Sequence, residues 1–181
     1  MKRNYIEVKI EVPRVKLVKL TSKMITKKYL EWVNNKKSTE FTEQRHTKKT
    51  KKDIIDFVNE KNKSKYEFLY AILVKSKNEE IHLGNIKIGP IDFLHKNAEI
   101  GYLVGHNSSL NKGIATSAIG EICKIAKKKF KLKTIFANVY SMNIPSIRVL
   151  IKNNFILEGV RKKHFILKKK RVDCLIYGKI L

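Results

Sequence analysis

The chain has 181 residues, of which 43% are apolar and 31% charged, enough to build a sizeable core and too apolar for a disordered segment. No apolar run approaches the ~20 residues that cross a bilayer, and Met1–Tyr5 lack the apolar segment of a secretory leader, so a cytoplasmic location and no membrane partner are expected. Forty Lys and Arg against sixteen Asp and Glu give a net charge of +24. Such a field attracts polyanions, but no zinc-finger spacing or RNA-binding aromatic signature accompanies it, and nucleic acid is not the leading partner.

In chain order, Val15–Leu20 alternates apolar and polar residues and reads as a strand. Thr21 or Ser22 caps a helix running to about Val33, with Met24, Tyr29, Leu30 and Val33 on its apolar side. The polar stretch Asn34–Lys52 reads as a loop, and Asp53–Asn59 as a short second helix. Three strands follow, Tyr66–Val74, His82–Ile88 and Ala98–Val104, with Gly89-Pro90 as the second turn signal; the short separations favour antiparallel pairing. A loop at Gly105–Lys112 leads into a helix from Gly113 to Phe130, where Ile114, Ala118, Ile122, Ile125 and Ala126 recur at helical spacing. Thr134–Tyr140 is a strand, Pro145–Lys152 a helix, and Phe155–Arg161 and Arg171–Leu181 the closing strands.

This order predicts an α/β fold with a mixed sheet, in a single domain over residues 1–181. The long helix makes a crossover between Ala98–Val104 and Thr134–Tyr140, which should therefore run parallel. Cys123 and Cys174 form no CxxC pair and read as buried thiols, and the five histidines are scattered, so no metal is expected.

The informative stretch is the Ala98–Val104 strand, a loop, and then Asn111-Lys112-Gly113-Ile114-Ala115-Thr116. A helix start presents unpaired N–H groups and the positive end of its dipole, which suits a diphosphate. Gly113 permits close approach and Lys112 adds a cation, although a plain glycine turn into a packed helix explains the same residues.

Leu110-Asn111-Lys112-Gly113-Ile114-Ala115, the preceding Ala-Glu-Ile-Gly-Tyr strand and the later Asn143-x-x-Ser146 together resemble the Gcn5-related N-acetyltransferase (GNAT) superfamily, in its ribosomal-protein N-terminal acetyltransferase-like branch. Gly84–Ile91 also looks like a subset of that branch that includes sugar-pathway enzymes. The resemblance covers roughly Val15–Leu181 and implies a mostly antiparallel sheet flanked by helices, with strands splayed at an acyl-CoA site. It implies an acetyl-CoA-dependent N-acetyltransferase whose coenzyme lies against Leu103, Val104, Leu110, Asn111, Lys112, Gly113, Ile114, Ala115, Thr116, Asn138 and Asn143. Backbone amides around Leu103 would polarise the acyl carbonyl.

Glu99 is the candidate base, against the alternative of an edge carboxylate paired with a lysine. Tyr140 and Ser146 are candidate proton donors, while Asn143 and Ser146 are also plausible helix caps. Glu43, Arg45 and His46, and the Lys87–Asp92 region, would border the acceptor pocket by family position, although a solvated loop explains them equally well. Two departures stand out: the motif's usual Arg or Gln is Leu110, and the tyrosine that many relatives use as general acid falls at Leu150. The expected acceptor is a small-molecule amine, foremost a nucleotide-linked amino sugar. A protein N-terminus is the alternative, and a nucleic-acid-binding protein with a degenerate acyltransferase site is a third reading. A homodimer stays open.

Overall fold

The computed structural model describes residues 14–76, 79–105 and 113–181. Seven strands form one sheet: β1 (Val15–Lys19), β2 (Phe68–Ser76), β3 (Glu79–Asp92), β4 (Asn97–Val104), β5 (Thr134–Tyr140), β6 (Ile156–Leu167) and β7 (Lys170–Ile180). Their spatial order is β1-β2-β3-β4-β5-β7-β6. Every neighbouring pair is antiparallel except β4 and β5, which run parallel as the crossover rule requires. The mixed, mostly antiparallel sheet flanked by helices is the fold expected above.

One face of the sheet packs against α4 (Ile114–Lys128) and α5 (Ile144–Lys152). There Ile72, Ile86, Ile88, Ile100 and Ile135 of the strands meet Ile119 and Ile122 of α4 and Leu150 of α5, all at 2% exposure or less. Fully burying each such side chain stabilises the fold by roughly 1.5–3 kcal/mol. The opposite face packs against α1 (Lys27–Asn34) and α3 (Lys51–Lys63), where Tyr29, Trp32, Val33, Ile54 and Val58 cover Leu69, Ala71 and Leu73. A short helix, α2 (Lys36–Thr39), and a 3-10 turn at Glu43–His46 lie between α1 and α3.

Three local expectations change. The first helix is divided: a 3-10 turn spans Ser22–Met24, and α1 starts after Thr26, whose hydroxyl accepts from the Tyr29 N–H at 3.3 Å. The supposed loop at 34–52 holds α2 and the second 3-10 turn, and α3 is longer than its apolar stretch because Thr50 and Asp53 form a reciprocal capping box. Gly89-Pro90 is not a turn between strands but a bulge inside β3, between Ile88 and Ile91, and the chain reverses only after Asp92.

Candidate functional site

The parallel seam between β4 and β5 is short. Asn97 pairs with Thr134, Ala98 with Ile135 and Glu99 with Phe136, and there the pairing stops. Beyond it β4 continues against β3 as far as Val104, and β5 against β7 as far as Tyr140. The two arms open into a V toward their C-terminal ends.

Alternation along an antiparallel ladder decides which amides line this V. The Gly105 N–H donates to Leu83 O at 2.9 Å, so Gly105, Leu103 and Gly101 turn their backbone groups to β3. Tyr102 and Val104 then present theirs to the open side. The donors available around Leu103 are therefore those of its two neighbours. On the other arm, the Ser141 N–H donates to Asp173 O at 3.0 Å, so Asn138 and Tyr140 face the V by the same parity.

At the mouth, Gly113 caps α4 with φ 75, a left-handed conformation that suits glycine. The N–H groups of Ile114, Ala115 and Thr116 lack acceptors within the helix, as in any first turn. Leu110, Asn111 and Lys112 lie outside the described residues.

The side chains divide between the faces. On the α1–α3 face, Asn138 Nδ2 donates to Glu99 Oε1 at 3.0 Å, while the Cys174 thiol lies 3.7 Å from Asn138 Oδ1. Glu99 is thus held by an amide, not by a lysine. Farther along β5, the Tyr140 hydroxyl donates to Glu43 Oε1 at 2.7 Å, and its ring stacks on Phe165 at 3.9 Å. The Arg45 guanidinium lies 5.1 Å from the centre of the Tyr140 ring and donates to Ile166 O at 3.0 Å. The structure therefore gathers Glu43, Arg45 and Tyr140 into one cluster. Desolvation pushes the Glu43 carboxyl up, but the Tyr140 hydrogen bond and the charges of Arg45 and His46 outweigh it and leave its pKa lowered. Burial, reinforced by the bond to Glu43, raises the Tyr140 hydroxyl.

On the α4–α5 face, the Tyr102 hydroxyl meets Ser146 Oγ at 2.8 Å and joins β4 to α5 across the V. Burial pushes Tyr102 up to about 12, against the opposing effect of the Ser146 hydrogen bond. Asn143 caps α5, accepting from the Ser146 N–H at 3.3 Å. Leu150, the position of the relatives' tyrosine, is 0% exposed within the core. Lys87 is held by Glu67 at 3.0 Å and does not line the cleft beside Glu99.

That cleft has a volume of about 580 Å³ and lies on the Glu99 face, with Tyr66, Asp92, Phe93 and Phe136 among its lining. Beside it Gly101 is exposed, and a Cβ there would meet nothing within 4 Å. Cys174 was expected only as a buried thiol, which it is, and neither Tyr102 nor this cleft was singled out from sequence. Strand alternation from Glu99 could have placed Tyr102 on the opposite face, whereas Cys174 depends on β5–β7 register. Among the described residues, no three His, Cys, Asp or Glu side chains are grouped so as to hold a metal ion, and no helix is long and apolar enough to cross a membrane.

Comparison with known proteins bears on the family and the fold. The profile of the Acetyltransferase (GNAT) domain matches residues 14–156. An uncharacterised N-acetyltransferase, p20, of Bacillus licheniformis is 29% identical over 127 residues, 70% of each chain. Spermidine N-acetyltransferase of Vibrio cholerae, solved with CoA and spermine, superposes with a TM-score of 0.82 at 15% identity, over 92% of this chain and 95% of that one. The ribosomal L7/L12 alpha-N-protein acetyltransferase RimL, solved with coenzyme A, gives 0.81 at 19% identity, over 95% and 97%.

Proposed function

Because the chain belongs to the GNAT family of acetyltransferases, and is thereby an acetyl-CoA-dependent N-acyltransferase, we propose that its acceptor is a small-molecule primary amine activated by Glu99. The observation that carries this reading is the cleft of about 580 Å³ that borders Glu99 on the α1–α3 face, beside the closed end of the V. Its size falls in the ~300–1,000 Å³ range of small-molecule sites.

The residues fit the coenzyme. Amides of Tyr102 and Val104 suit an extended, amide-bearing arm, and the N–H groups of Ile114, Ala115 and Thr116 suit a diphosphate. Asn143 and Asn138 stand on the β5 side of the same groove. Acetyl-CoA supplies an acetyl carbon activated as a thioester.

Glu99 accepts one proton from the acceptor's ammonium, which is mostly protonated at neutral pH because an alkyl amine titrates near ~10.4. Asn138 occupies Glu99 Oε1 and so orients the carboxylate for that role. The neutral nitrogen then bonds the acetyl carbon as the carbon–sulfur bond breaks. The nitrogen's second proton leaves with the sulfur as free thiol, and Glu99 returns its proton to water. The amides of Tyr102 and Val104, which the β3–β4 register leaves unpaired by β3, would stabilise charge on the acyl oxygen. Tyr102 and Ser146 form the hydroxyl pair beside the groove, whereas Tyr140 is committed to Glu43.

Among the described residues, the lining contains Asp92 and Glu99 but no Lys or Arg. A cationic amine suits it, and a nucleotide-linked amino sugar would have to set its phosphates outside it. The test is incubation of the purified protein with acetyl-CoA and a panel of small amines, amino-sugar nucleotides and N-terminal peptides, with products read by mass spectrometry. Acetylated small amines are the expected products. Acetylation confined to peptide N-termini would overturn the acceptor class.

A further inference from the structure

The rim of the Glu99 cleft differs from the rest of this lysine-rich molecule. Tyr66, Phe93 and Leu94 line it while 56%, 49% and 84% exposed, and no Lys or Arg among the described residues lines the cleft, in a chain that carries 40 of them. Single exposed apolar residues need no explanation, but three gathered at the mouth of one cavity form a contiguous apolar rim. Tyr66 and Phe93 lie with ring centres 6.0 Å apart at 52°, and Phe136 adds a third ring from β5.

This rim is held by the backbone. Gly89 has φ 118, and a Cβ there would run into the Tyr66 carbonyl, so glycine alone permits the approach. The Ile91 N–H then donates to that carbonyl at 2.8 Å. The bulge in β3 thus fixes Tyr66 against one side of the cleft and delivers Asp92 and Phe93 to the other. Among the described residues, Asp92 and Glu99 are the charged side chains of the lining.

We propose that the acceptor carries its amine on a flat aromatic or heteroaromatic body, which packs against Tyr66, Phe93 and Phe136 while the ammonium faces Glu99. This rests on the acetyl-transfer reading and names the acceptor within it. Aromatic surfaces reward a planar partner through offset and edge-on contacts, and a nearby ammonium adds attraction to the ring faces. A linear aliphatic amine carries the same ammonium but lacks the flat face that the ring contacts reward.

The experiment compares tryptamine with n-hexylamine as acceptors for the full chain and for Phe93→Ala and Tyr66→Ala. Acetylation is followed by mass spectrometry and coenzyme A binding by calorimetry. The expected kcat/KM for tryptamine exceeds that for hexylamine at least about tenfold, and each variant lowers this ratio roughly three- to tenfold. Both variants should retain coenzyme affinity and unfold at the wild-type temperature. Equal efficiency with the two amines, or variants that slow both equally, would overturn the proposal and leave the acetyltransferase reading standing. No coenzyme binding and no turnover of any amine would remove both.

Discussion

Asn138 and Glu99 are joined at the foot of the V: the amide nitrogen on β5, two residues beyond Phe136, donates at 3.0 Å to the carboxylate of Glu99 in the last pair of the seam. The Cys174 thiol, 3.7 Å from the amide oxygen, fixes which way that amide points. A chain of side chains thus runs from β7 through β5 to β4 and sets the carboxylate in place.

Glu99→Gln keeps the size and can keep the contact with Asn138, but it cannot take a proton. It should lower kcat/KM about 10²–10⁴-fold at neutral pH. The deficit should shrink as pH rises toward the amine's own ~10.4, where the acceptor loses its proton unaided. A pH–rate profile from 6 to 10 checks this; a deficit that stays constant with pH would speak against a base.

Gly101 is exposed on the acceptor side of β4 and a Cβ there meets nothing within 4 Å, so Gly101→Phe directs its ring into that space. The aromatic side chain suits a strand, and stability should hold or rise. Acceptor kcat/KM should fall at least about tenfold while calorimetric affinity for coenzyme A is retained. Unchanged acceptor kinetics would show that the amine does not approach over residue 101.

Tyr102→Phe removes the hydroxyl that meets Ser146 at 2.8 Å. The loss should be about 1 kcal/mol of stability, read from urea midpoints. Because burial pushes this hydroxyl up to about 12, it is protonated throughout the neutral range. The raised value means its stabilising effect is full below about pH 10 and lost as pH climbs through the folded value. The stability gap between wild type and variant should therefore be flat from pH 6 to 9.

His82 gives an acid-side prediction. Desolvation lowers its pKa, outweighing hydrogen bonds involving Asn85, Gly84 and Met24, and the ring packs edge-on to Trp32 at 5.1 Å. A folded value below the ordinary ~6.5 means that the unfolded chain binds the proton more tightly. Stability from this group is then full above about pH 6.5 and lost as pH falls through the folded value. Thermal unfolding followed from pH 7.5 down to 5 should show the midpoint falling, and less so in His82→Gln. Identical slopes in the two proteins would show that His82 is not the titrating group.

Much of the frame was legible from periodicity. The α4 helix follows from Ile114, Ala118, Ile122 and Ala126, and the parallel β4–β5 pair follows from the length of its connection. Gly89-Pro90 misled because a turn signal and a strand bulge use the same residues; only pairing to both neighbours separates them. Glu43 and Tyr140 are 97 residues apart, and their bond depends on how α2 and the following turn settle on β5, which no local pattern encodes. The cleft beside Glu99 is likewise a product of the bulge and the hairpin together. Leu150 was legible as a departure, and its complete burial gives the reason: the residue fills the space between α5 and α4.

The brevity of the β4–β5 seam also bears on how the sheet assembles. Strands β1–β4 lie within residues 15–104 and β5–β7 within 134–180, and only three residue pairs stitch the two ladders together. The β2–β3, β3–β4 and β6–β7 hairpins pair segments adjacent in sequence, whereas the seam, like β1–β2 and β5–β7, closes a longer loop through intervening helices and should form later. In pulse-labelling during refolding, amide protection of Ile100, donated toward Phe136, should trail that of the β6–β7 hairpin.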